Sequence, residues 1–198
     1  MFNIIDEKLK ALSDLLPLQD KKIIFIIGHP GVGKTTLLNF LEKFNLPQSM
    51  QIFHADNYID WDKVVLSCKE QGLGEDVYVI QAYIQAIRKM MELYSDKELF
   101  IFDGNCLVYD IEKINLQFGS KDVGTIIIDS KPEIFKSRLS GRGDNFVIVE
   151  KETRERLENL NYASENNISV INTDNMIFDN PLNEVSILLE EIINLVKD

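Results

Sequence analysis

"FIIGHPGVGKTTLLNFLEKF", residues 25–44, decides how the rest of the chain is read. The continuous apolar run Ile23 to Ile27 stops at Gly28, Lys34 and Thr35 follow, and a helical pattern runs from about Lys34 to Phe44, closed by Asn45 and Pro47. An unbroken isoleucine-rich run marks a strand buried on both faces of a parallel sheet. Gly28-His29-Pro30-Gly31-Val32-Gly33-Lys34-Thr35 fits G-x-x-x-x-G-K-[ST], with the strand before it and the helix after it that the motif requires. Glycines at 28, 31 and 33 let the chain curl until successive N–H groups face an anion. The helix that begins near Gly33 adds its positive dipole end. Lys34 can reach the β- and γ-phosphates, the Thr35 hydroxyl can ligate Mg²⁺, and Thr36 completes the expected phosphate-facing set. The stretch therefore points to a nucleoside triphosphate. His29 is expected to be an exposed spacer in the loop rather than a base.

Working outward, residues 4–16 place Ile5, Leu9, Leu12, Leu15 and Leu16 at helical spacing, and Pro17 ends that helix. Strands are expected at 51–55, 99–102, 125–128 and 168–171. Helices are expected at 59–70, 75–94, from Pro132, at 149–165 and at 181–197, with the vaguest stretch at 105–124 holding a short helix around 109–116. Strands that alternate with helices predict a three-layer α/β/α fold around a five-stranded parallel sheet. The whole chain, 1–198, reads as one domain, with an N-terminal helix over 1–20, helices over 56–97 and a short lid over 138–148.

The chain has 198 residues, 45% hydrophobic and 27% charged, the balance of a globular protein large enough for a real core. The net charge of -11 excludes broad nucleic-acid binding, because no basic surface can neutralise phosphates in bulk. Cys68 and Cys106 lack metal-ligand spacing and read as reduced thiols, which fits a cytoplasmic protein. Neither a signal peptide nor an apolar run of the ~20 residues needed to cross a membrane is visible. A monomer or homodimer is expected. Arginine is scarce: Arg88 stands alone, while Arg138, Arg142, Arg154 and Arg156 fall within nineteen residues.

A phosphate loop alone does not separate a kinase from a GTPase or a motor ATPase. GTPases need a base-reading N-K-x-D after a later strand, which this chain lacks, and AAA-type ATPases usually end the third strand with paired acids, whereas here it ends in Asp103-Gly104. "FIFDGN" (100–105) resembles the D-G that closes the third strand of adenylate kinases and related small P-loop kinases. "EQGLGEDVYVIQAYIQAI" (70–87) resembles their acceptor-side segment, and "IDSKPEIFKSRLSGR" (128–142) their strand, turn and helix ending in R-x-x-G-R. "RGDN" and "TRERLENL" resemble the segments after the lid. The resemblance covers about residues 22–172. It implies an ATP- and Mg²⁺-dependent phosphotransferase with Arg138 over the adenine, and with Arg142 and Arg154 or Arg156 on the phosphates. It implies Asp103 at Mg²⁺, directly or through water, and a short lid from Ser140 to Val147. "INTDN" (171–175) is similar to the stretch where these kinases touch the adenine.

The spacing of the arginines agrees. Arg138 and Arg142, four apart, project from one helix face, and guanidinium forks stabilise the charge spread over a transferring phosphoryl group. Arg154 and Arg156, two apart, diverge by about 200°, so that one faces the nucleotide and the other is solvated. A salt-bridged surface with Glu150, Glu152, Glu155 and Glu158 is the competing reading.

The phosphate acceptor is expected beyond the second strand. Adenylate kinases hold an acceptor monophosphate there with arginines; this chain carries Tyr58, Ile59 and Asp60, and Asn105-Cys106-Leu107 after Gly104. Asp56 can instead take a hydroxyl proton as general base, or it can be the N-cap of the next helix. Tyr58 and Trp61 can stack on a base or sugar, or simply pack. Arg88 reads as an exposed helical arginine. The acceptor is a nucleoside, a nucleotide or a similar small molecule. The alternatives are a sugar or polynucleotide 5′ end as acceptor, or an ATPase switch with none.

Overall fold

In the computed structural model, Ile23–Ile27 lie within β1 (Lys22–Ile27), and every one of them is buried. The structure describes residues 2–18, 21–74, 77–104, 108–118, 123–141 and 150–197, with the side chains of 2, 18, 56, 108, 109 and 150–154 excepted. Residues 142–148 of the lid expected over 138–148, with Arg142, and Asn105-Cys106-Leu107 lie outside the described residues.

β1 is the central strand of a five-stranded parallel sheet. Beside it run β2 (Met50–His54), β3 (Leu99–Gly104), β4 (Val123–Asp129) and β5 (Ser169–Asn172), in the order β2-β3-β1-β4-β5. Its neighbours lie to opposite sides of β1, so the chain changes direction there. Ligands of such sheets bind at that crevice, outside the carboxyl ends of the strands. Register sets what meets at this edge: Ile26 pairs with Asp103, Asp103 with His54, and Asp129 with Asn172.

Among the described residues, eight helices cover the two faces: α1 (Phe2–Leu15), α2 (Lys34–Leu41), α3 (Trp61–Glu70), α4 (Tyr78–Leu93), α5 (Val108–Phe118), α6 (Pro132–Gly141), α7 (Glu150–Asn166) and α8 (Leu182–Lys197). Side chains alternate along β1. Ile24 and Ile26 join a core with α1, α2, α6 and α8, while Ile23, Phe25 and Ile27 join a second core with α3, α4, α5 and α7. Each such side chain withdrawn from water contributes roughly 1.5–3 kcal/mol. A one-residue slip of a strand would exchange the two sets, so burial holds the register.

The expected three-layer fold is the observed one. α1 ends at Leu15 and continues as a 3₁₀ turn, Leu16–Leu18, around Pro17, which lacks an N–H to carry the helix on. The short helix expected near 109–116 is α5, somewhat longer. No helix among the described residues is long and apolar enough to cross a membrane.

Candidate active site

Gly28, Gly31 and Gly33 hold positive φ, and the turn they make leads straight into α2. Gly33 is decisive. It is the N-cap of α2 at φ 104°, a left-handed conformation, and a Cβ there would stand 2.3 Å from Met176 Cε. Only glycine meets both demands. The Lys34 side chain folds back over the loop and donates to the carbonyls of Gly28 at 2.6 Å and His29 at 3.2 Å. Its ammonium thus sits over the curl made by residues 28–33, and the residue is buried. Thr36 lies in the first turn of α2.

Thr35 Oγ1 donates to Asp103 Oδ2 at 2.8 Å, which joins the start of α2 to the end of β3. Gly104, next along, has a reason to be glycine: a Cβ there would stand 2.3 Å from the Tyr83 hydroxyl of α4. His54, at the end of β2, places Nδ1 3.0 Å from the same Asp103 Oδ2. A carboxylate only accepts, so the network assigns the proton to Nδ1. His54 Nε2 is 3.9 Å from Glu42 Oε2, an electrostatic contact too long for a hydrogen bond. The bond to Asp103 raises the His54 pKa above the usual histidine value, against the opposing effect of burial.

These residues suit a magnesium nucleotide. Having given its proton to Asp103, the Thr35 hydroxyl keeps its lone pairs for a cation. Mg²⁺ takes only one or two protein oxygens and completes its shell with water and phosphate.

Arg138, on α6, reaches across to the segment after β5. It donates to Thr173 Oγ1 at 3.2 Å, to the Thr173 carbonyl, and to the Val32 carbonyl of the phosphate loop at 3.4 Å. Its guanidinium carbon lies 4.8 Å from the centre of the Phe178 ring. Thr173 Oγ1 also donates to the Val32 carbonyl at 2.6 Å. The loop of residues 28–35 and the expected adenine segment are therefore tied together, with Arg138 as one of the ties.

Three positions bear on the sequence expectations, and the first is a correction. His29 is no exposed spacer: it is half-buried and stacks on Phe135, ring centres 6.0 Å apart, because the loop turns it toward α6. Its burial, followed by the charge of Lys34, lowers its pKa. Arg156 is not solvated; it forms a two-point pair with the buried carboxylate of Asp129, with Nε to Oδ1 at 2.7 Å and Nη2 to Oδ2 at 2.5 Å. The side chain of its companion Arg154 lies outside the described residues, as do Arg142 and the side chain of Asp56. Finally, the N-cap of α3 is Asp60, which accepts from the Lys63 N–H at 3.2 Å. Asp56 instead stands in a 3₁₀ turn, Ala55–Asn57, directly after β2.

Beyond β2, Tyr58 meets Phe53 edge-on and, like Trp61, stays 40% exposed. Arg88 is exposed as expected, over the Phe118 ring of α5. Sequence reasoning missed His54, Asp129, Thr173 and Phe178. The signal for two of them was present: each is a polar residue ending a buried strand, as Asp103 is.

With this geometry in hand, a family model described as an AAA domain matches residues 24–158 of the chain. The chain belongs to the AAA domain family. The matched span runs from β1 through the first half of α7 and so includes the phosphate loop, Asp103, Arg138 and Arg156. The expectation that the single acid of Asp103-Gly104 sets the chain apart from AAA-type ATPases thus meets a family that bears that name, while several of the solved structures it resembles are kinases. A sugar kinase from Janibacter sp. is 15% identical, with 88% of this chain and 98% of that chain covered at a TM-score of 0.53. A gluconokinase from Sinorhizobium meliloti is 10% identical, with 88% and 94% covered at 0.51. A shikimate kinase from Bacteroides thetaiotaomicron is 18% identical, with 89% and 99% covered at 0.52. At these identities the likeness is one of fold: this AAA domain has the fold of small P-loop kinases. No curated protein matches the chain in sequence.

Proposed function

We propose that the protein is an ATP- and Mg²⁺-dependent phosphotransferase that moves the γ-phosphoryl group to a hydroxyl of a small molecule. The observation that carries this reading is the Thr35–Asp103 hydrogen bond beside the loop crossed by Lys34. It brings the glycine loop together with a hydroxyl and a carboxylate suited to magnesium at one strand edge. In this reading the loop N–H groups and Lys34 hold the phosphates, and Thr35 holds Mg²⁺ with Asp103, directly or through water. The bound ion would neutralise phosphate charge. Arg138 flanks the adenine, and Arg142 and Arg154 serve the phosphates from the lid side.

A hydroxyl acceptor is favoured over a monophosphate by what surrounds β2. A monophosphate calls for guanidinium forks, and the only arginine of residues 50–118, Arg88, is exposed over Phe118. Asp56, released from capping α3, serves as general base toward the acceptor hydroxyl. The kinases named above, for a sugar, gluconate and shikimate, support this reading by fold.

Purified protein with Mg-ATP and a panel of nucleosides, nucleotides, sugars and hydroxy acids tests the assignment. ADP release that depends on one class of acceptor is the expected result. Hydrolysis at one rate whatever acceptor is added would replace the kinase with a nucleotide-dependent switch.

A further inference from the structure

We propose that His54 is a positioning residue for the magnesium side of the site: its Nδ1–H anchors Asp103, and through Asp103 it sets the direction of the Thr35 hydroxyl. The inference rests on the reading of the loop as a magnesium-nucleotide site and goes beyond it by giving β2 a part in metal binding.

The placement begins with register. His54 and Asp103 are paired residues on adjacent parallel strands, so their side chains leave the same face of the sheet side by side. Two donors then converge on one carboxylate oxygen, Asp103 Oδ2: Thr35 Oγ1 at 2.8 Å from the start of α2, and His54 Nδ1 at 3.0 Å from the end of β2. Asp103 is buried, so a weakened hold on it is not made good by bulk water. A carboxylate held by one donor can turn about its Cβ–Cγ bond; a second donor from a different strand removes that freedom. The hydroxyl that donates to the fixed oxygen then keeps one orientation, and its lone pairs keep theirs.

The far end of the imidazole faces a second carboxylate without hydrogen-bonding to it. Glu42, the C-cap of α2, lies 3.9 Å from Nε2, so the ring spans from the last turn of the phosphate-loop helix to the end of β3. The carboxylates facing the ring, Asp103 and Glu42, come from two different elements. Outer partners that orient a metal's ligands typically change metal affinity by roughly 10–100-fold when removed, and His54 is placed to be such a partner.

Asparagine and leucine separate this role from simple packing. The two are close in size, and only asparagine keeps an N–H donor near the position of Nδ1. The measurement is calorimetric binding of ADP with and without Mg²⁺ for the native protein, His54→Asn and His54→Leu, with a thermal melt of each. In the native protein and in His54→Asn, Mg²⁺ is expected to strengthen ADP binding to a similar degree. In His54→Leu that gain should fall by roughly 10-fold or more, while magnesium-free ADP binding, carried by the loop amides and Lys34, stays within about two-fold. A full magnesium gain in His54→Leu, an equal loss with and without Mg²⁺, or an asparagine variant that melts normally yet behaves as leucine would each overturn the assignment. If His54→Leu does not fold, loss of the gain in a folded His54→Asn is sufficient to overturn it, and its retention there sustains it. A native protein whose ADP binding ignores Mg²⁺ would instead refute the magnesium-nucleotide reading itself, a separate and recognisable result.

Discussion

Arg156 grips Asp129 through two parallel contacts, one from Nε and one from Nη2, where the side chains are only 15% and 8% exposed. α7 is thereby fastened to the end of β4, beside His29 of the loop. Removing one partner of a buried pair leaves an uncompensated charge and costs roughly 3–5 kcal/mol. Arg156→Ala should therefore lower the denaturant midpoint sharply. Replacing both residues by leucine should recover much of that loss, since well-packed apolar side chains often match a buried pair. If Arg156→Ala unfolds at the native midpoint, the pair is ornamental.

Gly33→Ala is expected to impair nucleotide binding. The residue must take φ 104°, at a strain of order 1–3 kcal/mol, and its Cβ would strike the end of Met176. Adding Met176→Ala clears the contact but not the dihedral, so the double variant should stay impaired in nucleotide binding. Calorimetric titration with ADP checks both; full recovery in the double variant would make the contact, not the backbone, responsible.

Lys34→Ala should abolish phosphoryl transfer with the fold intact. Its bonds to Gly28 and His29 run to loop carbonyls, whereas the cores beneath the loop are untouched. Circular dichroism and acceptor-dependent ADP release together give the answer. A variant that turns over near the native rate would remove Lys34 from the chemistry.

Asp56 and Asp60 should divide along different measurements. Asp56→Asn is expected to reduce kcat by roughly 10²–10⁴ without lowering the melting temperature. Asp60→Ala should lower the melting temperature and spare kcat, because Asp60 holds the first turn of α3. Exchanged outcomes would return the base assignment to doubt and give Asp56 a structural duty.

The loop histidine implies a pH dependence of stability. Burial holds the His29 pKa below the ordinary histidine value of about 6.5. The unfolded chain therefore takes up this proton first as pH falls, and it binds more protons than the folded chain in that window. Native stability relative to His29→Gln should decline as pH drops from about 7 through 6.5 and below, and should level off above it. Parallel melting curves for the two proteins between acid and neutral pH would sink this expectation.

Elements governed by local signals were legible in the sequence. The phosphate loop was read residue by residue because its dihedrals demand glycine, and β1 and β3 because burial on both faces leaves an apolar run. Pairings across the sheet were not. His54 lies 49 residues from Asp103 and Asp129 lies 27 from Arg156, and neither separation carries a periodic trace. The cap of α3 stayed open for a related reason. Asp56 and Asp60 both precede the helix, and only the intervening 3₁₀ turn decides which one reaches its first N–H groups.

The sheet keeps its two faces apart. α2, which carries the loop, rests with α1 and α8 on one side, while α3 and α4 rest on the other. On the proposed reading, the half that grips the energy donor and the half that selects the recipient thus have separate foundations. Aromatic and acidic positions from Tyr58 to Asp62 can be redrawn for a different recipient without disturbing the packing on which the donor half stands.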